Sequence, residues 1–121
     1  MVTSSKAGNS ALTRFRKICL SLPETTETGS FGHPNFRAGK RTFAAFEWIK
    51  ARPSLAFNLG PEQTTQLLLL EDPFFATPYG RGQWVSLWAD GRVEWRAVEK
   101  LVEQSYRRVA LKRMIAALEA R

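Results

Sequence analysis

The segment Phe31 to Ala45, FGHPNFRAGKRTFAA, constrains the fold more than any other part of the chain. Gly32 and Pro34 mark an ordered turn. Phe36 and Ala38 share one face of a two-residue repeat, and Gly39-Lys40-Arg41 reads as a basic hairpin turn into the next alternating run. Successive strand side chains point to opposite faces, and a tight reversal needs a backbone free of Cβ crowding. Alternation bounded by Gly and Pro therefore marks paired antiparallel strands.

The flanking segments extend this sheet and supply its cover. Ser10 caps a first helix with Leu12, Phe15, Ile18, Cys19 and Leu22 on one face and Arg14, Arg16 and Lys17 elsewhere, and Pro23 ends it. Thr42 to Lys50 alternates Phe43, Ala45, Glu47 and Ile49 against Ala44, Phe46 and Trp48. After a turn at Pro53, Leu55, Phe57 and Leu59 share a face, completing a three-stranded meander with one dry side. Gly60-Pro61-Glu62 opens a second helix, with Pro at its first position, running to about Leu70; Leu67 to Leu70 reads as a short buried turn. Phe74 to Tyr79 is an edge strand or irregular, Gly80-Arg81-Gly82 a turn, and Trp84 to Ala89 a strand. Glu94 to Arg121 carries helical periodicity with no Gly or Pro, which predicts one long helix kinked near Ser105. The expected fold is a single α+β domain over residues 10–121, α-β(3)-α-β(2)-α, its antiparallel sheet covered on one face by helices, behind a disordered tail at residues 1–9.

A chain of 121 residues, 44% hydrophobic, with eight Phe, four Trp and two Tyr, can bury its own core. Its one cysteine, Cys19, forbids an internal disulfide and sits on the apolar stripe as a small core residue. No apolar run approaches the ~18 residues of a membrane span, and MVTSSKAGNS has no signal-peptide core, so a cytoplasmic location with no membrane partner is expected. The net charge of +7 favours a polyanionic partner.

Three ordered blocks carry a family resemblance: Gly32-His33-Pro34 with Phe36 and Gly39-Lys40; Tyr79 with Gly82 and Trp84; and Ser105-Tyr106 in the C-terminal helix. From about Leu12 to Leu118 the chain resembles the MmcQ/YjbR family, small bacterial proteins formerly grouped as a domain of unknown function. The resemblance implies the same element order, in a fold described as CyaY-like or secretion-chaperone-like. It also implies DNA binding, through likeness to the double-wing domain of a phage transcription factor. The acidic start usual for the final helix is Glu94 here, a weaker cap than Asp.

The candidate nucleic-acid contacts are Arg37, Lys40 and Arg41 on the first hairpin and Arg81 on the second. As two wings they would set cations against phosphates; as hairpin tips they would simply be solvated charge. Arg108 and Lys112, four residues apart within the run Arg107, Arg108, Lys112, Arg113, would stack on one helix face as a phosphate-tracking or a solvated surface. Trp48, Trp84 and Trp88 read either as core or as a stacking platform, with Trp84, following Gly82, placed at a rim. His33 reads as a turn residue making a structural hydrogen bond, and Ser105-Tyr106 as helix packing.

Phosphate-binding loop, dinucleotide fingerprint and serine elbow are all missing from the sequence, and Glu24, Glu27, Glu47, Glu62, Glu71 and Asp72 are dispersed without metal-ligand pairing. The expectation is a non-enzymatic DNA-binding protein with no cofactor and no metal, using Arg37, Lys40, Arg41, Arg81, Trp84, Arg108 and Lys112. The alternative is a chaperone-like adaptor or homodimer using its sheet face or a strand edge. A third option is a small-ligand pocket built from the Gly32-to-Lys40 turn and Trp84, which a cavity joining His33, Lys40 and Tyr106 would favour.

Overall fold

The computed structural model describes residues 6–29 and 33–121; Phe31 and Gly32 of the opening motif, and residues 1–5 of the expected tail, lie outside them. The element order is α1 (Lys6–Leu20), β1 (Thr25–Thr28), β2 (Asn35–Ala38), β3 (Arg41–Ile49), β4 (Arg52–Asn58), α2 (Pro61–Leu68), β5 (Phe74–Ala76), β6 (Trp84–Trp88), α3 (Trp95–Val109) and α4 (Lys112–Glu119). The strands form one antiparallel sheet in the order β1-β2-β3-β4-β6-β5. The expected α+β class and helix-covered sheet are what the molecule adopts.

The core lies on the helical side. Phe15 of α1 meets Phe36 and Phe57 edge-on, with ring centroids 5.6 and 5.8 Å away. From α3, Val98, Leu101, Val102, Tyr106 and Val109 pack with Ala44, Phe46, Leu55, Val85 and Leu87 of the sheet. Cys19 is fully buried among them, and burial pushes its thiol ionisation well up, as suits an inert core residue.

Five details depart from the sequence expectation. The sheet gains β1, whose Thr-Thr-Glu-Thr sequence has no apolar alternation because it is a largely exposed edge strand. It is held by its ladder to β2 and by Arg16 of α1, which donates to Glu27 at 2.7 Å. The first helix begins at Lys6, ahead of Ser10.

Strand β3 does not alternate throughout. Phe36 faces Ala44 and Arg37 faces Thr42, leaving Phe43 as a bulged extra residue. Phe43 and Ala44 are consequently both buried, and Phe43 meets the Tyr106 ring edge-on at 5.6 Å.

Leu69 and Leu70 are not buried: they are 78% and 64% exposed, where the chain turns away after α2. Only Leu67 and Leu68 reach the core.

The long C-terminal helix is two helices. Ala110 and Leu111 are extended, with ψ of 153° and 157°, so the break falls beyond Ser105. Ser105 bonds the Val102 carbonyl within α3. The cause is the phase of the apolar stripe. After Tyr106 and Val109, an uninterrupted helix would aim Lys112 and Arg113 at the core. The extended pair resets the phase, and Met114 becomes fully buried instead.

Candidate nucleic-acid interface

Strand direction decides where the basic residues fall. Ala38 pairs with Arg41, Asn58 with Trp84, and Ala76 with Val85. The β2–β3 turn at Gly39-Lys40, the exit of β4 and the connection from β5 to β6 therefore share one end of the sheet. The α3–α4 junction reaches the same end. Arg108 donates to Asn58 Oδ1 at 3.2 Å and Gln83 Oε1 at 2.6 Å, and its Nη1 lies 3.0 Å from where a Cβ on Gly60 would stand. A Cβ there would crowd the guanidinium, and the positive φ of 85° itself favours glycine. In α4, the Met114 sulfur lies 3.8 Å from the corresponding position on Gly39.

Lys40 with Arg41, Arg81, and Arg108 with Lys112 thus come on three segments to one end of the sheet, with Arg37 on the adjoining strand. Among the described residues, ion pairs join Arg16 to Glu27, Arg52 to Asp90, Arg92 to Glu94, Arg107 to Glu103 and Glu119, and Arg113 to Glu24. None of the six candidate cations is in that set. Arg108 spends its donors on neutral amide oxygens, so its charge stays uncompensated. The carboxylate beside the first hairpin, Glu24, is already neutralised: hydrogen bonds from Arg113 hold it below its ordinary value. Glu62 opens α2 at this end as an exposed counter-charge.

Several expected placements change. Arg108 and Lys112 do not stack on one helix face, because the Ala110-Leu111 break separates their helices. Trp48 leans edge-on against Phe46, with ring centroids 5.5 Å apart, and packs on the core. Trp84 and Trp88 instead project from the sheet's outer face, away from the helices. There Trp88 is sandwiched between Phe75, stacked at 4.0 Å, and the Arg52 guanidinium at 3.9 Å. His33 is exposed and makes no side-chain hydrogen bond among the described residues. Tyr106 is fully buried with its hydroxyl given to the Pro23 carbonyl, so His33, Lys40 and Tyr106 do not join in a pocket.

Asn58 and Gln83, which anchor Arg108, carry no signal in the sequence, since only the folded sheet brings residues so distant in the chain together. Among the described residues, no helix is long and apolar enough to cross a membrane, and no group of three or more His, Cys, Asp or Glu is placed to hold a metal ion.

These features define a small α+β domain with two hairpins and a helix junction meeting at a cationic sheet end. The sequence model of the YjbR family matches residues 20–108, and the chain belongs to that family. Its fold is similar to that of the Deinococcus radiodurans protein DR2400, a DUF419 domain, with a TM-score of 0.71 and 22% identity over 89% of this chain and 87% of that one. It is also similar to a Pseudomonas syringae protein, with a TM-score of 0.59 and 15% identity over 69% of this chain and 86% of the other. No curated protein matches the chain.

Proposed function

We propose that this protein binds DNA through the hairpin end of its sheet, as a non-catalytic module whose affinity comes from phosphate contacts. One observation carries the reading: Arg37, Lys40, Arg41, Arg81, Arg108 and Lys112 are carried by segments that meet at this sheet end, and none has a carboxylate partner among the described residues. Solubilising charge has no need to converge. Cations along one rim can face a run of backbone phosphates and gain from counterion release. The sheet edges offer less to a protein partner, because β1 is four residues long with Glu27 tied to Arg16, and β5 is three.

Fluorescence anisotropy of a labelled random duplex at low and physiological salt tests this reading. The expected result is micromolar or tighter binding that weakens steeply with salt, the slope of log affinity falling by ~0.9 for each phosphate contact removed. Lys40→Glu with Arg41→Glu should abolish binding. Lys50→Asn, at the opposite end of the sheet, should leave it intact; Asn tolerates the positive φ of 51° at that turn. Absence of binding at low salt, to this duplex and to a matching single strand alike, overturns the reading.

A further inference from the structure

The outer sheet face is built differently from the helical one. Its central positions, Ala45, Ser54, Ala56 and Ser86, are small and buried, at most 1% exposed. They face one another across the ladder, Ala45 opposite Ala56 and Ala56 opposite Ser86. The connection after β5 folds over them, fastened where Thr77 Oγ1 meets Ser86 Oγ at 2.7 Å. Gly80 (φ 90°) presses on Trp84 so closely that a Cβ there would stand 2.4 Å from Trp84 Cδ1. Tyr79 then leans over Trp84, with ring centroids 5.9 Å apart.

Between this flap and the strands is an open cleft of about 360 Å³ lined by Asn35, Thr42, Glu47, Tyr79 and Trp84. Burial, together with the Glu47 charge and a hydrogen bond to that carboxylate, pushes the Tyr79 ionisation up, so the hydroxyl stays a neutral donor. A carboxylate has about four acceptor sites, so Glu47 keeps acceptor capacity facing the cleft. The cleft thus offers aromatic surface, an anionic acceptor and an amide. Arg37, opposite Thr42 on the neighbouring strand, and Arg81, in the flap, stand near its rim without carboxylate partners among the described residues.

A simple cationic ligand would suit Glu47 and the rings but be repelled by the arginines. A simple anion would suit the arginines and be repelled by Glu47. A nucleotide satisfies both, with its phosphates on the arginines and its base on the rings and the carboxylate. In a duplex the pairing edge is occupied, so the base must be unpaired. Guanine presents two adjacent N–H donors on that edge, which match the two oxygens of one carboxylate.

We infer that the cleft between Tyr79, Trp84, Glu47 and Asn35 seats an unpaired guanine of a single strand whose phosphates run along the basic rim. This inference rests on the DNA-binding reading and adds to it a strand form and a base. The test is anisotropy with a labelled oligothymidylate, the same strand with one central guanine, and a random duplex. The guanine strand should bind about tenfold tighter than the all-thymine strand, as a good bidentate base contact provides. Replacing guanine by hypoxanthine, which lacks the exocyclic amine, should remove much of that gain. Glu47→Gln, with its unfolding transition retained, should bring the ratio to about one, as loss of the bidentate contact predicts. Equal binding of the two strands by the parent protein, or a preference that survives Glu47→Gln, overturns the cleft while leaving phosphate binding standing. Failure of all three probes at low salt overturns both.

Discussion

The hydroxyl of Tyr106 donates to the carbonyl of Pro23 at 2.7 Å, tying the last turns of α3 to the chain leaving α1. The ring is fully buried and meets Phe43 edge-on, so ring and hydroxyl can be separated by substitution. Tyr106→Phe should keep the packing and lose the bond, costing ~1 kcal/mol in urea unfolding with an unchanged denaturant slope. Unaltered stability would mean that water serves the Pro23 carbonyl equally well.

The break between α3 and α4 predicts an unusual tolerance. Leu111 has φ −73° and follows an extended residue, both suited to proline, and its amide makes no backbone hydrogen bond among the described residues. Leu111→Pro should therefore raise stability by about 0.4–1 kcal/mol through the unfolded chain. In a continuous helix the same change would cost ~3 kcal/mol. A thermal melt separates these outcomes by sign.

Asp90 sets part of the acid limb. The hydrogen bond from Arg52 holds its carboxyl below the ordinary value of 3.8, against a smaller opposing effect of burial. A carboxyl with a depressed folded value stabilises the fold above its unfolded value and loses that contribution as pH falls through the folded one. Asp90→Asn should therefore be less stable than the parent near neutral pH, and the two should converge as pH drops below 3.8. Urea titrations along that range check it; a gap that stays constant would mean the ion pair contributes no pH dependence.

The architecture was legible wherever one face of an element is dry. Phe15, Cys19, Leu55, Phe57, Val85, Leu87 and Val98 follow their periods and are buried. Legibility failed where tertiary contact overrides local pattern. β1 is a strand because β2 offers it a ladder, and Phe43 turns inward because a bulge opposite Arg37 lets it reach Tyr106. The apolar stripe changes phase at the C-terminal break, but with no Gly or Pro to mark it the sequence reads as one kinked helix. Of the candidate site, the basic residue types were readable but their meeting place was not. That depends on strand direction and on Arg108 finding Asn58 and Gln83. Glu47 and Asn35 looked like ordinary strand residues until Tyr79 and Trp84 were folded above them.

The contrast between the two sides of the sheet has a consequence for how such a domain diversifies. The helical side carries the large interlocking side chains, so any change there is felt by the whole fold. The outer side has a floor of small residues and a flap fastened by few bonds. Its lining can be exchanged position by position while the interior stays as it is, and descendants of one stable scaffold are free to part company in what they hold.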